Sequence, residues 1–178
     1  DVDNVPGEWF PEWLTNYPAI SSKETLRLMA SIVPPRDWID IHWPNIAGSE
    51  AEFAVLMTSR ARQLGMSRTV FRNASGLHDP DQVTTARDML RLAIALQDDF
   101  PRHYRLFALR SFSYGGSTLR NHNLLLGTFA GTDGIKTGYI RMSGFNLVAS
   151  VRRGNRHVIG AVFGGGTAGS RDATMRSL

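Results

Sequence analysis

A change of hydrophobic period at Pro101 limits the fold of this chain more than any other feature. Before it, apolar residues recur at three- and four-residue spacing; after it they alternate. Ser49 and Glu52 form a capping box ahead of Phe53, Leu56, Met57 and Leu64, and Gly65 ends the run, which predicts a helix over 50–64. Thr84 or Thr85, with Asp88 as capping partner, opens a second helix over 85–97, whose stripe is Met89, Leu92, Ala93 and Leu96. Between them, FRNASGLHDPDQ is rich in turn formers. Past Pro101, residues 111–113 and 118–120 flank Tyr114-Gly115-Gly116-Ser117 as a hairpin, and 135–140 reads as a short strand. Residues 145–152 and 157–163 flank Gly154-Asn155 as a second hairpin, apolar enough to be covered on each face. A last helix starts at Ser170. Helices first and strands later predict an α+β fold, an antiparallel sheet with helices packed on it.

Residues 1–45 stand apart and are read as a divergent segment, with 46–178 as the domain. The first part holds all four tryptophans and six of the eight prolines, with a short helix predicted over 21–33. At 178 residues the chain can bury one core. No run approaches the ~18 apolar residues that suggest a membrane span, so membrane association is not visible in the sequence. The opening DVDNVPGEWF is acidic and broken by Pro6 and Gly7, unlike a signal peptide, which leaves export open. The absence of cysteine removes disulfides, thiolate zinc sites and a cysteine nucleophile. Five histidines without ligand spacing predict no metal, and no cofactor is expected: Gly164-Gly165-Gly166 lacks the lysine of a phosphate loop and reads as a bend between a strand and a helix. The net charge of +4 rests on scattered arginines, with Arg152 and Arg153 the only adjacent pair, so a solvated surface is expected and nucleic acid is not.

Within DGIKTGYI, Lys136-Thr137-Gly138 places a cation and a hydroxyl on one strand. Alone, the tripeptide is a weak signal, because a lysine at a strand end commonly snorkels to water. The chemistry fits recognition of a terminal carboxylate: the ammonium and hydroxyl hold the anion, and glycine lets a substrate backbone lie against the strand edge. The N–H of Tyr139 can then serve as an oxyanion donor. K-T-G also accompanies S-x-x-K in penicillin-binding proteins and class A β-lactamases.

From about Asn45 onward the chain resembles the serine-type D-alanyl-D-alanine carboxypeptidases, the low-molecular-mass penicillin-binding proteins. The matching stretches are IAGSEAEFAVLMTSRARQLGM, FRNASGLHDPDQVTTARDM, LRNHNLLL and GTDGIKTGYIRMSGFNLVASVRRGNRHVIGAVFGGGTAGSRDATM. The resemblance implies a β-lactamase/transpeptidase-like fold whose N-terminal part is here missing or replaced, so that stability is marginal and a sheet edge is exposed. It implies hydrolysis of the terminal D-Ala of peptidoglycan stem peptides by acyl transfer, in the periplasm or cell envelope. Lys136, also the one catalytic residue implied, and Thr137 would bind the substrate carboxylate, Gly138 would line the substrate-binding strand, Tyr139 would complete the oxyanion hole and Arg171 would assist. Asn73, Ser75 and Gly76 would shape a loop.

The family's S-x-x-K and S-x-N motifs have no match. The two lysines are Lys23 and Lys136, and Ile20 and Asp133 stand three positions before them; no asparagine follows a serine by two. Ser21 and Ser22 do not share a helix face with Lys23 in the way that positions i and i+3 do. Ser143, in the turn after the K-T-G strand, is a weak substitute. A β-lactam partner is therefore expected only if another nucleophile exists. Two alternatives stand beside the carboxypeptidase: an inactive peptidoglycan-peptide binding module or fragment, and a basic polyanion binder.

Overall fold

The computed structural model describes residues 47–114 and 116–178. The predicted helix over 21–33, the tryptophans and Lys23 lie outside the described residues. The elements run α1 (Glu50–Gln63), α2 (Ala86–Asp99), α3 (Pro101–Tyr104), a 3-10 turn (Arg105–Ala108), β1 (Ser111–Tyr114), β2 (Ser117–Arg120), β3 (Thr132–Ile140), β4 (Gly144–Arg153), β5 (Arg156–Gly165) and α4 (Ala168–Ser177). Helices and antiparallel sheet follow the order the periods predict.

The described residues fall into two compact units, 47–60 with 70–82, and 61–69 with 83–178. In the first, the Glu52 N–H donates to the Ser49 hydroxyl at 3.2 Å, the forward arm of the expected capping box. Phe53 and Ala74 form its small core with Ala47 and Met57 against them. Leu56, expected in the stripe, is instead half-exposed, while Ala54 on the same helix is buried. The NASGL loop is self-bracing. The Asn73 carbonyl oxygen accepts from the Gly76 N–H at 2.9 Å and from the Ser75 hydroxyl at 3.2 Å, while its amide donates to the Leu77 carbonyl at 3.0 Å.

In the second unit, the Thr85 hydroxyl caps α2 by accepting from the Asp88 N–H at 3.1 Å. The Asp88 carboxylate does not return to the cap as a capping box would. It turns away, accepting from the Arg68 N–H at 2.9 Å and the Thr69 hydroxyl at 2.7 Å, with Arg91 at 3.2 Å. Burial favours this choice: Asp88 is only 2% exposed, and a buried carboxylate needs several donors.

The strand order is β3–β4–β5, all antiparallel, with β1–β2 a separate hairpin. Thr137 pairs with Leu147, and Leu147 with Val162; Leu147, Ala149 and Val162 pack with Leu125 and with Met175 of α4. On the opposite face, Tyr104 and Phe107 pack so closely over Gly134 that an added Cβ would lie 3.3 Å from Phe107 Cβ and 3.4 Å from the Tyr104 hydroxyl. β4 is covered on both faces, but β5 is not, since Val158 and Phe163 are exposed on it. Among the described residues β3 and β5 are the end strands, so a strand with the composition of a buried one runs along an open edge. The glycine run begins earlier than a simple bend, as Gly164 and Gly165 still belong to β5, and Thr167 with Ser170 then caps α4 in a full capping box.

Candidate functional site

Lys136, Thr137, Gly138 and Tyr139 occupy consecutive positions of β3, opposite Val148, Leu147, Asn146 and Phe145 of β4. Strand alternation sends Lys136 and Thr137 to opposite faces. Thr137 is 8% exposed, over the core that α4 covers, while Lys136 is exposed on the face that carries Gly134. One ligand can meet both side chains only along the strand edge that β4 does not occupy.

Although Lys136 is exposed as a residue, its ammonium end curls back and donates to the Thr137 carbonyl. Desolvation there lowers its pKa from the ordinary 10.5. No described carboxylate is paired with it. This is a cation held short of full hydration and without a counter-charge, which an incoming carboxylate would supply.

Asn123, Asn146 and Asp133 hold the strand and its turn through contacts made across the fold. The Asn123 amide, buried, donates to the Gly134 carbonyl at 3.0 Å, two residues before Lys136. Asn146, opposite Gly138, donates to the Ser143 hydroxyl at 2.8 Å and accepts from the Gly164 N–H at 3.0 Å, so it ties the β3–β4 turn to the end of β5. An asparagine inside the apolar run FNLVAS was the available signal, since strands are poor in Asn. Asp133 pairs with Arg152 at 3.0 Å. Behind the strand, Ser150 is fully buried and bonded to His157 Nε2 at 2.8 Å. The Tyr104 hydroxyl lies beside Ser150 without a well-formed hydrogen bond, and burial raises its pKa.

Tyr139 packs its ring on Phe145 at 4.3 Å between centroids. Phe145 pairs in turn with Gly165, where an added Cβ would lie 2.8 Å from the Arg171 Cβ. Glycine at 165 thus lets the first turns of α4 approach the Tyr139 end of the sheet. Arg171 itself is 3% exposed, and its Nε and Nη2 both donate to one Asp172 oxygen, at 2.9 and 2.7 Å. It is an ion-paired guanidinium beside Gly165 of β5. Ser143, the serine after the strand, accepts from Asn146, and no described lysine or histidine bonds to it.

A family model described as Peptidase_S11, D-alanyl-D-alanine carboxypeptidase, matches residues 44–167. The chain belongs to this family. Among family members, the D-alanyl-D-alanine carboxypeptidase DacA of Escherichia coli is 38% identical over 133 residues, covering 74% of this chain and 33% of that protein. DacC of the same organism is 38% identical over 123 residues, covering 68% of this chain and 31% of DacC. Among solved structures, penicillin binding protein 5 from Haemophilus influenzae superposes with a TM-score of 0.77 at 29% identity, covering 86% of this chain and 46% of that one. Penicillin binding protein 6B from Escherichia coli gives 0.76 at 32% identity, covering 85% and 49%. The chain therefore spans about a third of the length of these curated relatives. The carboxypeptidase resemblance and the penicillin-binding/transpeptidase fold read from the K-T-G context both hold.

Proposed function

We propose that this domain supplies the carboxylate-recognising strand of a serine-type D-alanyl-D-alanine carboxypeptidase of the cell envelope, acting on peptidoglycan stem peptides that end in D-Ala-D-Ala. The observation that carries the reading is Lys136, a partly desolvated ammonium paired with no described carboxylate, on a strand that is at the end of the sheet among the described residues. A substrate lying along that edge would place its terminal carboxylate at Lys136 and the Thr137 hydroxyl. Gly138 would keep the strand free of a side chain where the substrate backbone passes, and the Tyr139 N–H would face the scissile carbonyl. Arg171, paired with Asp172, would add positive potential from behind the strand without touching the carboxylate.

The acyl-transfer step in this family requires a serine whose proton an adjacent base removes. None of the 178 residues offers a serine three positions ahead of a lysine. The alternative reading is a domain that binds the peptide without turning it over.

Intact mass after incubation with excess benzylpenicillin, run beside a binding titration with a D-Ala-D-Ala-terminated peptide, separates the two. A mass increase of one penicillin, lost on replacing a single serine, establishes the enzyme. Peptide binding without an adduct establishes the binding module. If Lys136→Ala leaves the peptide affinity unchanged, both readings fail.

A further inference from the structure

Residues 100–178 contain ten arginines and one lysine against two aspartates. Both aspartates are already taken, Asp133 by Arg152 and Asp172 by Arg171. The carboxylate strand uses one of the remaining cations, Lys136. Three others converge at the far end of the β4–β5 hairpin.

The Arg153 guanidinium lies 4.4 Å from the centroid of the Phe129 ring, and that of Arg176 lies 5.3 Å from the same centroid. Arg153 Nε donates to the Ala130 carbonyl at 2.8 Å. Arg176 donates to the Thr128 carbonyl at 3.1 Å and to its hydroxyl at 2.8 Å. These bonds hold both cations on one loop, yet each planar fork has five N–H donors and keeps some unused. Arg156 stands directly across the hairpin from Arg153. Like charges in a cross-strand pair are destabilising unless something neutralises them. All three arginines are exposed, and none is paired with a described carboxylate. Two guanidinia fixed on one aromatic ring, with a third arginine at the cross-strand position opposite Arg153, present forks of the kind that binds phosphate oxygens bidentately.

We propose that Arg153, Arg156 and Arg176 form an anion-binding site for the phosphates of a linear phosphodiester polymer. Three forks exceed what one carboxylate's two oxygens can accept, and the net positive charge of residues 100–178 favours a long anion over a single one. A lipid surface is the poorer fit, because the Phe129 ring is capped by guanidinia and half-buried, leaving no aromatic free to insert. The site is distinct from the carboxylate strand. Arg153 lies five residues along β4 from Val148, the partner of Lys136, roughly 17 Å at strand rise.

The test titrates the full chain with poly(glycerol phosphate), in parallel with inorganic phosphate at equal phosphate concentration and with phosphatidylglycerol vesicles. The polymer should bind, with affinity falling steeply as salt rises. Arg156→Glu places a carboxylate opposite Arg153, so the hairpin should fold at least as well while the polymer binds about tenfold or more weakly. Arg153→Ala should weaken it comparably, and Lys136→Ala should leave it within about twofold, since that position lies off the site. Equal binding by wild type and Arg156→Glu overturns the proposal. So does an affinity for inorganic phosphate that matches the polymer's, or binding to vesicles alone.

Discussion

Two charged groups of this domain have pKa values pushed in the same direction for opposite physical reasons. Asp88 is buried, and desolvation alone would raise its pKa; the Thr69 hydroxyl, the Arg68 N–H and Arg91 outweigh that and hold it below the ordinary 3.8. Its charge is thus favoured in the folded state. Lys136 is lowered by desolvation with nothing set against it, so its charge is disfavoured. A group whose charge the fold satisfies is part of the architecture. A group whose charge the fold leaves costly and reachable is ready for a ligand. The same contrast separates Arg171, bound twice to Asp172, from Arg156, which faces another arginine.

The largest test of that contrast is Asp88→Ala. It strands the Arg68 N–H and the Thr69 hydroxyl in a buried site, and should cost about 3 kcal/mol in urea denaturation. A loss below about 1 kcal/mol would mean that water replaces the carboxylate and that Asp88 is not structural. The pH dependence follows from the sign of the shift. With the folded pKa below 3.8, the Asp88 contribution is fully present above the unfolded value and is lost as pH falls through the folded one. Asp88→Asn should therefore flatten the acid limb of the stability curve.

Lys136→Ala should behave in the opposite way. Binding of a D-Ala-terminated peptide should drop by about ten- to a hundredfold, one charge-assisted contact, with folding stability unchanged or slightly raised. Lys23→Ala should change neither, and an equal loss in both variants would reveal nonspecific attraction. Because the Lys136 pKa is lowered, peptide binding should decline with rising pH before the ordinary lysine value of 10.5 is reached. Binding that persists to that value would show that the ammonium is not desolvated when it meets the carboxylate.

Smaller effects come from groups that are neither buried nor poised. Thr85→Ala removes the cap of α2 and should cost about 1 kcal/mol by thermal melting. Asp133→Asn breaks an ion pair whose arginine is half-exposed, and should cost about 0.5 kcal/mol in a double-mutant cycle with Arg152→Ala. A coupling several times larger would make that pair a determinant of the β3 conformation, on a par with Asn123.

Much of the domain was legible in the sequence because its signals are local. The cap at Thr85 and the turn at Gly154-Asn155 each involve residues within a few positions of one another, and K-T-G is three consecutive residues on one strand. What the sequence left open was where each polar side chain would find its partner. Asp88 looked like half of a capping box, yet its acceptors serve Arg68 and Thr69, which only the packing of α2 brings within reach. Arg171 was expected to assist with a carboxylate, and only the tertiary structure shows it buried and ion-paired with Asp172. Leu56 sat in the expected stripe, yet it stays half-exposed while Ala54 is buried. Period, caps and motif were determined by the sequence alone, since each is a property of adjacent residues on one element. Tertiary structure alone decided which charges are satisfied and which are left for a ligand, because hydrogen-bond partners come from residues distant along the chain and dielectric from what packs around them.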